Sequence, residues 1–451
     1  MKLKPETFTI QDYLHHEFEC SCGRTHRTDV EEILISQGAR REVPGLIKRL
    51  GYRHVYMVSD VNTYQAAGQE LEGIFREAGV ACTSHRIPRD PVVPDEYTLG
   101  ELLIDFDRDC DVIMAVGTGT INDMCKFLSC QLGKQYIVFA TAPSMDGFAS
   151  VGAALIRGNL KTTYDAHVPQ AIVGDVDILA RAPMNMIAAG VADIMGKYTC
   201  LCDWHLARIV NGEYFCPVIE EMVRLAMGKM MAQVKEIKDR KPETIKSVME
   251  ALVLTGIAMS FVGNSRPASG CEHHMSHYWE MMFLFQGRPA VLHGTKVGVG
   301  TVMAVGLYQK AAERTFDYEA AGRKAEAYDR ETWESDMRRT YDAAAEGVIS
   351  LEKKEKKNDP EQVLKRLETV RDREAEIKGM IRELIPSLEL VTGILKDMDA
   401  PVCAADLGID REMTRDCIVV AKEVRNRYTL LQLLWDLGLL EEMAEEIAAG
   451  R

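Results

Sequence analysis

The sequence predicts an α/β N-terminal domain built on a parallel sheet, residues 1–180, followed by an all-α C-terminal domain, residues 181–451. Three observations predict it. The chain has 451 residues, too many for one ordinary hydrophobic core. Its first part alternates short apolar runs with amphipathic stretches, the pattern of strands covered on both faces by crossover helices. Its second part carries apolar residues at helical spacing and no convincing strand.

In order along the chain, RHVYMVSD (53–60) is a compact β-type run, followed by the helical stretch TYQAAGQELEGIFREAG. VACTSHRIP reads as a second strand. DVIMAVG (111–117), after ELLIDFDRD, is a third, and QYIVFATAP (135–143) a fourth, with the helix-like INDMCKFLSCQLG between them. A ligand of such a sheet sits at the C-terminal ends of the strands. Beyond residue 180, the segments from APMNMIAAGVADIMGKYT to the closing RYTLLQLLWDLGLLEEMAEEIAAG keep helical spacing. The charged stretch from Lys353 to Lys378 reads as a solvated helix face, with Asp359-Pro360 marking a helix start. The 23 methionines are read as core filler.

Composition narrows the function. Hydrophobic residues make up 47% and charged residues 27%, the balance of a globular protein in water. No stretch reaches about 18 uninterrupted apolar residues, so no membrane insertion is expected. MKLKPETFTIQDYLHH has no apolar signal region. A net charge of −14 argues against a nucleic-acid partner, which needs a basic field. A small anionic substrate stays compatible with local positive charge. The twelve cysteines are scattered, which suits a reducing compartment, and the expected location is cytoplasmic. Cys20/Cys22 and Cys200/Cys202 are spaced C-x-C without a second pair at zinc-finger spacing, so Cys20 and Cys22 read as a short hairpin.

Gly117-Thr118-Gly119-Thr120 falls straight after a strand and straight before a helix. Glycines there let the backbone approach an anion, and N–H groups at the helix start bind phosphate oxygens. The loop matches neither G-x-G-x-x-G nor a Walker pattern, so a plain turn is the competing reading. Asp123 falls in the first helical turn, where it caps backbone donors or orients the loop around a dinucleotide. TAPSMDGFAS (141–150) is placed to form the other wall, with Thr141, Ser144 and Ser150 offering hydroxyls and Asp146 a carboxylate. Asp60 ends the first strand, where a carboxylate can bond a ribose hydroxyl and repel a 2′-phosphate, favouring NAD(H) over NADP(H).

Of eleven histidines, His273, His274, His277 and His293 crowd into one short segment. His273 and His277 are four apart and share a helix face. His293 opens a second helix-like run after the turn-prone QGRP. Asp193, in an apolar small-residue helix where an unpaired charge is costly, is the candidate third ligand. Two histidines and a carboxylate with open positions make a catalytic site for zinc, nickel or ferrous iron. His274 points away from that face and reads as structural. Arg266, ahead of the histidine helix, is a candidate for a substrate phosphate, with a surface salt bridge as its alternative.

At these residues the sequence resembles a known family. AVGTGTIND, TAPSMDGFAS, GVADIMGKYT, SRPASGCEHHMSH and LHGTKVGVGT resemble the glycerol-1-phosphate dehydrogenases, within the iron-containing alcohol dehydrogenase and dehydroquinate synthase superfamily. The resemblance implies a Rossmann-like N-terminal domain and a helical C-terminal domain of the dehydroquinate synthase-like type, commonly in homodimers or larger homo-oligomers. It implies that Asp60, Gly119, Thr120, Ile121, Asn122, Asp123, Thr141, Ala142, Pro143, Ser144 and Ser150 contact NAD(H). It implies that Asp193, His273 and His293 bind one divalent metal, usually zinc and in some bacterial members nickel. Asp146 and His277 would contact substrate and take part in catalysis, with Asp193 in the substrate site as well; Arg266 stays a candidate on its own chemistry. The reaction implied is reduction of dihydroxyacetone phosphate by NAD(P)H to sn-glycerol 1-phosphate. Water or His277, at a near-neutral pKa, would supply the proton. Another polyol dehydrogenase or a dehydroquinate synthase-like enzyme of the superfamily is the nearest alternative, and a non-catalytic nucleotide- or phosphate-sensing protein the next.

Overall fold

The computed structural model describes residues 1–158 and 160–450. The chain divides into two compact units, Met1–Ile194 with Pro217–Ser265, and Met195–Cys216 with Arg266–Arg451. The division does not fall at residue 180. Periodicity marks where strands give way to helices, but it does not say which helices pack on the sheet.

The first unit opens with a short antiparallel hairpin, β1 (Phe18–Glu19) and β2 (Thr25–His26). Its sheet contains β3 (Glu32–Ser36), β4 (His54–Asp60), β5 (Ala81–Ile87), β6 (Val112–Gly117) and β7 (Gln135–Ala140). After a second antiparallel hairpin, β8 (Gly152–Arg157) and β9 (Leu160–Asp165), the sheet is completed by β10 (Ala171–Asp175). The six strands lie in the order β3-β10-β7-β6-β4-β5, and every pairing is parallel. Every residue of β6 is buried, as expected for a central strand covered on both faces. The crossovers carry α1 (Val43–Arg49), α2 (Gln69–Glu77), α3 (Glu96–Ile104) and α4 (Gly119–Leu132). α5 (Met184–Met195) follows the sheet and runs to the boundary between the units.

The four strands expected from sequence are β4, β5, β6 and β7, each within a residue or so of its predicted start. The hairpin β8–β9 and the strands β3 and β10 had no counterpart in that reading.

α6 (Lys197–Asn211) belongs to the second unit, while α7 (Pro217–Met231) and α8 (Pro242–Val262) return to the first. α8 packs on α7 and on the turn at Gly147–Ala149. By length and mean hydropathy, 1.6, α8 could cross a membrane, yet 78% of its apolar window is buried within the protein. A core helix that is apolar all round is accounted for by that burial.

The second unit is helical, with α9 (Cys271–Phe285), α10 (His293–Glu313) and a run of shorter helices from Tyr318 to Ala448. Pro360 begins one of them, Pro360–Asp372, where Asp359-Pro360 predicted a start. Its core includes Trp279, Tyr308, Trp333, Tyr341 and Leu430. A buried polar knot sits beside that core. Glu423 accepts from Asn358 Nδ2 at 2.8 Å and Trp333 Nε1 at 3.2 Å, and pairs with Lys357 Nζ at 3.0 Å and with Lys422. Burial alone would raise the Glu423 pKa. Lys357 and Lys422 outweigh it and take the carboxyl from 4.5 down to about 2. A carboxylate depressed in the folded state stabilises the fold above its unfolded pKa and loses that contribution as pH falls. The stability advantage of wild type over Glu423→Gln is therefore expected to shrink between pH 4.5 and about 2. Urea titrations across that window measure it; a constant difference would refute the assignment.

Candidate functional site

In the first unit, β4, β6 and β7 are adjacent, and their C-terminal ends carry the loops singled out from sequence. Gly117 pairs in register with Ala140, so the Gly117–Thr120 turn and the Thr141–Ser144 turn leave the sheet side by side. Asp60 ends β4 and caps the next turn, its Oδ1 accepting from Thr63 N at 2.7 Å. Thr118 precedes the first residue of α4, and its carbonyl accepts from Asn122 N at 2.8 Å. The N–H groups of Gly119, Thr120 and Ile121 therefore belong to the first turn, which has no intrahelical acceptor. Thr118, Gly119 and Thr120 are half-buried, whereas Ile121 and Asn122 are buried.

Behind these loops lies a lysine that sequence reasoning missed. Lys126 is fully buried on α4, with Nζ 3.2 Å from Gly147 O, 3.1 Å from Ser150 Oγ, 2.9 Å from Gly152 O and 3.3 Å from Asp123 Oδ1. Burial draws its pKa below the usual lysine range, against the opposing pull of Asp123 and Asp146. Asp123 Oδ2 accepts from Ala154 N at 3.2 Å, so this carboxylate ties α4 to β8. Ser150 Oγ donates to Gly147 O at 3.0 Å. Asn122 Oδ1 accepts from the Tyr136 hydroxyl at 3.4 Å. The side chains of Asn122, Asp123 and Ser150 thus hold the loop in shape.

The loop bearing Ala142, Pro143, Ser144 and Asp146 is buried against α5 and α8. Contact is close enough that position 190 tolerates no side chain. A Cβ on Gly190 would lie 1.8 Å from Pro143 O. Asp193, one turn on, is fully buried, and its Oδ2 accepts from Asp146 N at 3.0 Å.

In the second unit, His273 and His277 lie on α9 and His293 begins α10. The three rings converge, with centroids 5.2 Å apart for His273–His293, 6.0 Å for His277–His293 and 6.4 Å for His273–His277. A Cβ on Gly300 would lie 2.6 Å from Glu272 O, so α10 passes α9 at main-chain contact beside the rings.

Glu272, absent from the expected set, is the partner of His273. Its Oε1 lies 2.6 Å from His273 Nδ1 and accepts from Gly270 N at 2.7 Å, while Oε2 accepts from Thr199 Oγ1 at 2.6 Å. Burial would raise its pKa, but these hydrogen bonds prevail and the net shift is downward. The ionised carboxylate accepts the hydrogen bond from Nδ1–H, which leaves Nε2 as the nitrogen free to turn to a metal.

His277 departs from expectation. Burial lowers its pKa to about 4, against the raising effect of Glu280. It is neutral at neutral pH and holds no spare proton there. His274 is fully buried, and burial followed by the charges of Arg427 and Arg425 pushes its pKa well down.

Arg266 takes the salt-bridge alternative. It is buried, with Nε and Nη2 on Glu213 at 2.8 and 2.7 Å and Nη2 on Tyr428 O at 2.8 Å. Through Nε and Nη2 this guanidinium braces the second unit. Arg425 differs: among the described residues no hydrogen bond or ion pair satisfies its guanidinium, and burial lowers its pKa. Its charge reaches both His274 and His277. No sequence spacing distinguished Arg425 from Arg266.

Comparison with known proteins places this geometry. The sequence profile of the iron-containing alcohol dehydrogenases matches residues 34–183. A glycerol-1-phosphate dehydrogenase (NAD(P)+) of Halalkalibacterium halodurans is 39% identical over 303 residues, covering 66% of this chain and 76% of that protein. The chain belongs to the glycerol-1-phosphate dehydrogenase family. The protein of the same name from Geobacillus thermodenitrificans is 32% identical over 95% of this chain and 96% of its own length. Among solved structures, a probable glycerol dehydrogenase from Sinorhizobium meliloti shares the fold, with TM-score 0.59, 14% identity, and coverage of 94% and 98% of the two chains. As a member of this family the chain is an oxidoreductase, and its parallel-sheet and helical parts are those of the iron-containing alcohol dehydrogenase fold.

Gly190→Ala tests the loop's seating. The methyl gains about 1 kcal/mol of helix propensity, but a Cβ 1.8 Å from a carbonyl oxygen forces backbone to move, which puts the cost at or above the upper end of the roughly 1–3 kcal/mol of ordinary overpacking. Net destabilisation is expected in chemical denaturation, and an unchanged midpoint would contradict the close approach.

Proposed function

We propose that the chain catalyses the reversible reduction of dihydroxyacetone phosphate to sn-glycerol 1-phosphate by NAD(P)H, with one divalent metal held by Asp193, His273 and His293. The observation that carries this reading is the Glu272–His273 pair beside His277 and His293. A buried carboxylate behind an imidazole is the arrangement that orients metal-binding histidines. The donor set of two neutral imidazoles and a carboxylate suits zinc, nickel or ferrous iron. Such an ion, when bound, supplies Lewis-acid polarisation of a ketone. Asp193 is oriented for its part by the Asp146 amide.

NAD(H), with NADP(H) as the alternative, would lie over the ends of β4, β6 and β7. Its phosphates would meet Gly119, Thr120 and Ile121 at the start of α4, and its remainder Thr141, Ala142, Pro143 and Ser144. Asn122, Asp123 and Ser150 would act by holding the loop. Asp60 would take a ribose hydroxyl and disfavour a 2′-phosphate. NAD(P)H, when bound, would supply the hydride that reduces the ketone carbon, whose oxygen would take a proton. Neutral His277 and Asp146 would orient the substrate, and water would deliver that proton. Arg425 replaces Arg266 as the group for the substrate phosphate, because its half-buried guanidinium has no acceptor among the described residues and its charge reaches His277. The reading includes a cytoplasmic homo-oligomer that neither binds nucleic acid nor enters a membrane, in keeping with a net charge of −14.

NADH oxidation with dihydroxyacetone phosphate, against unphosphorylated dihydroxyacetone, tests the substrate. Turnover should favour the phosphate ester, fall on chelation and return with zinc, nickel or iron. Equal use of both ketones, or indifference to chelation, defeats the reading. Glu272→Gln should weaken metal binding by about 10–100-fold. Arg425→Ala should raise KM for the phosphorylated ketone by about 10–100-fold while leaving KM for NADH unchanged. A KM unmoved for both would exclude Arg425.

A further inference from the structure

The N-terminal hairpin gathers metal-binding side chains that the proposed reaction does not use. β1 and β2 pair over only two rungs, Phe18 with His26 and Glu19 with Thr25. Hairpins that short are marginal in water without further support. The turn between them carries Cys20 and Cys22 and is closed by Gly23 N on Cys20 O at 3.0 Å and Cys20 N on Arg24 O at 3.1 Å. His26, 1% exposed, stacks on Phe261 of α8 with ring centroids 5.8 Å apart.

The protonation of that imidazole follows from its neighbours. His26 Nδ1 lies 2.9 Å from the carbonyl oxygen of Phe261. A carbonyl only accepts, so Nδ1 carries the proton and Nε2 bears the lone pair of the neutral ring. Nε2 faces Cys22 Sγ at 3.3 Å, and the ligand atoms of Cys20, Cys22 and His26 all lie within 4.8 Å of one another.

We propose that Cys20, Cys22 and His26 bind a structural divalent cation of the zinc class, separate from the ion of the reaction. Zinc–sulfur and zinc–nitrogen bonds at tetrahedral angles set a sulfur and a nitrogen about 3.6 Å apart. The observed 3.3 Å needs a few tenths of an ångström of adjustment to reach it. A thiol-to-imidazole hydrogen bond would explain Cys22 and His26, but not why Cys20 turns to the same point. The carbonyl behind His26 is the kind of second partner that metal-bound imidazoles take. On binding, both thiols release their protons to solvent, and the two thiolates and the imidazole fill three positions. The fourth ligand comes from outside the hairpin. The ion would staple the hairpin to α8, which the two rungs do weakly.

The test uses the full-length protein loaded with cobalt(II). Thiolate coordination gives a sulfur-to-cobalt charge-transfer band, which a site of histidines and carboxylate cannot produce. The band is expected in wild type and in His273→Ala, and should vanish from a Cys20→Ser/Cys22→Ser double variant together with one bound metal per chain. No such band in cobalt-loaded wild type overturns the proposal without recourse to any variant. A band and metal content unchanged in the folded double variant overturn it as well. Because the readout is spectroscopic, the outcome is independent of whether dihydroxyacetone phosphate is the substrate.

Discussion

A single buried ammonium organises the ligand-facing edge of the first unit. Lys126 reaches from α4 to the carbonyls of Gly147 and Gly152, the Ser150 hydroxyl and the Asp123 carboxylate. A charge so enclosed is costly unless its donors are satisfied. The loop must therefore keep these acceptors around it, and the shape of residues 146–152 follows from that need. The same loop sends the Asp146 amide to Asp193 and seats Pro143 on Gly190. The geometry of the candidate cofactor wall is thus set from within, by a side chain that offers nothing to a ligand.

The second unit solves the corresponding problem with opposite charge. Glu272 is enclosed with Thr199, Gly270 and His273 as donors, and it stays ionised because they outweigh its burial. It leaves the His273 ring with one defined tautomer. In both units the groups nearest a prospective ligand are positioned by a second layer of buried, fully committed charge.

Much of this was legible in the sequence. The four strands β4 to β7 announced themselves as apolar runs between amphipathic stretches. β3 alternates over only five residues, and β10 is a five-residue run closed by Asp175, so both fell below what periodicity can distinguish from loop. The unit boundary was misjudged because α7 and α8 look like any other helices until their partners are known. The histidines were legible through their spacing, since i and i+4 share a helix face. Glu272 and Lys126 were not, because a charged residue on an amphipathic helix reads as solvated unless something shows that it is enclosed. Arg266 could not be decided from sequence for the same reason: its chemistry suited a phosphate or a salt bridge, and the structure pairs it with Glu213.

The contact of Gly300 with the carbonyl of Glu272 has a consequence for tolerance to change. Where two helices are kept apart by side chains, their separation drifts as those side chains are exchanged over evolutionary time. Here the spacing is registered by backbone against backbone, so exchanges of side chains elsewhere in the bundle bear on it less directly. The imidazoles on either side ride on that gauge, which shields the aperture they define from much of the variation in the surrounding core.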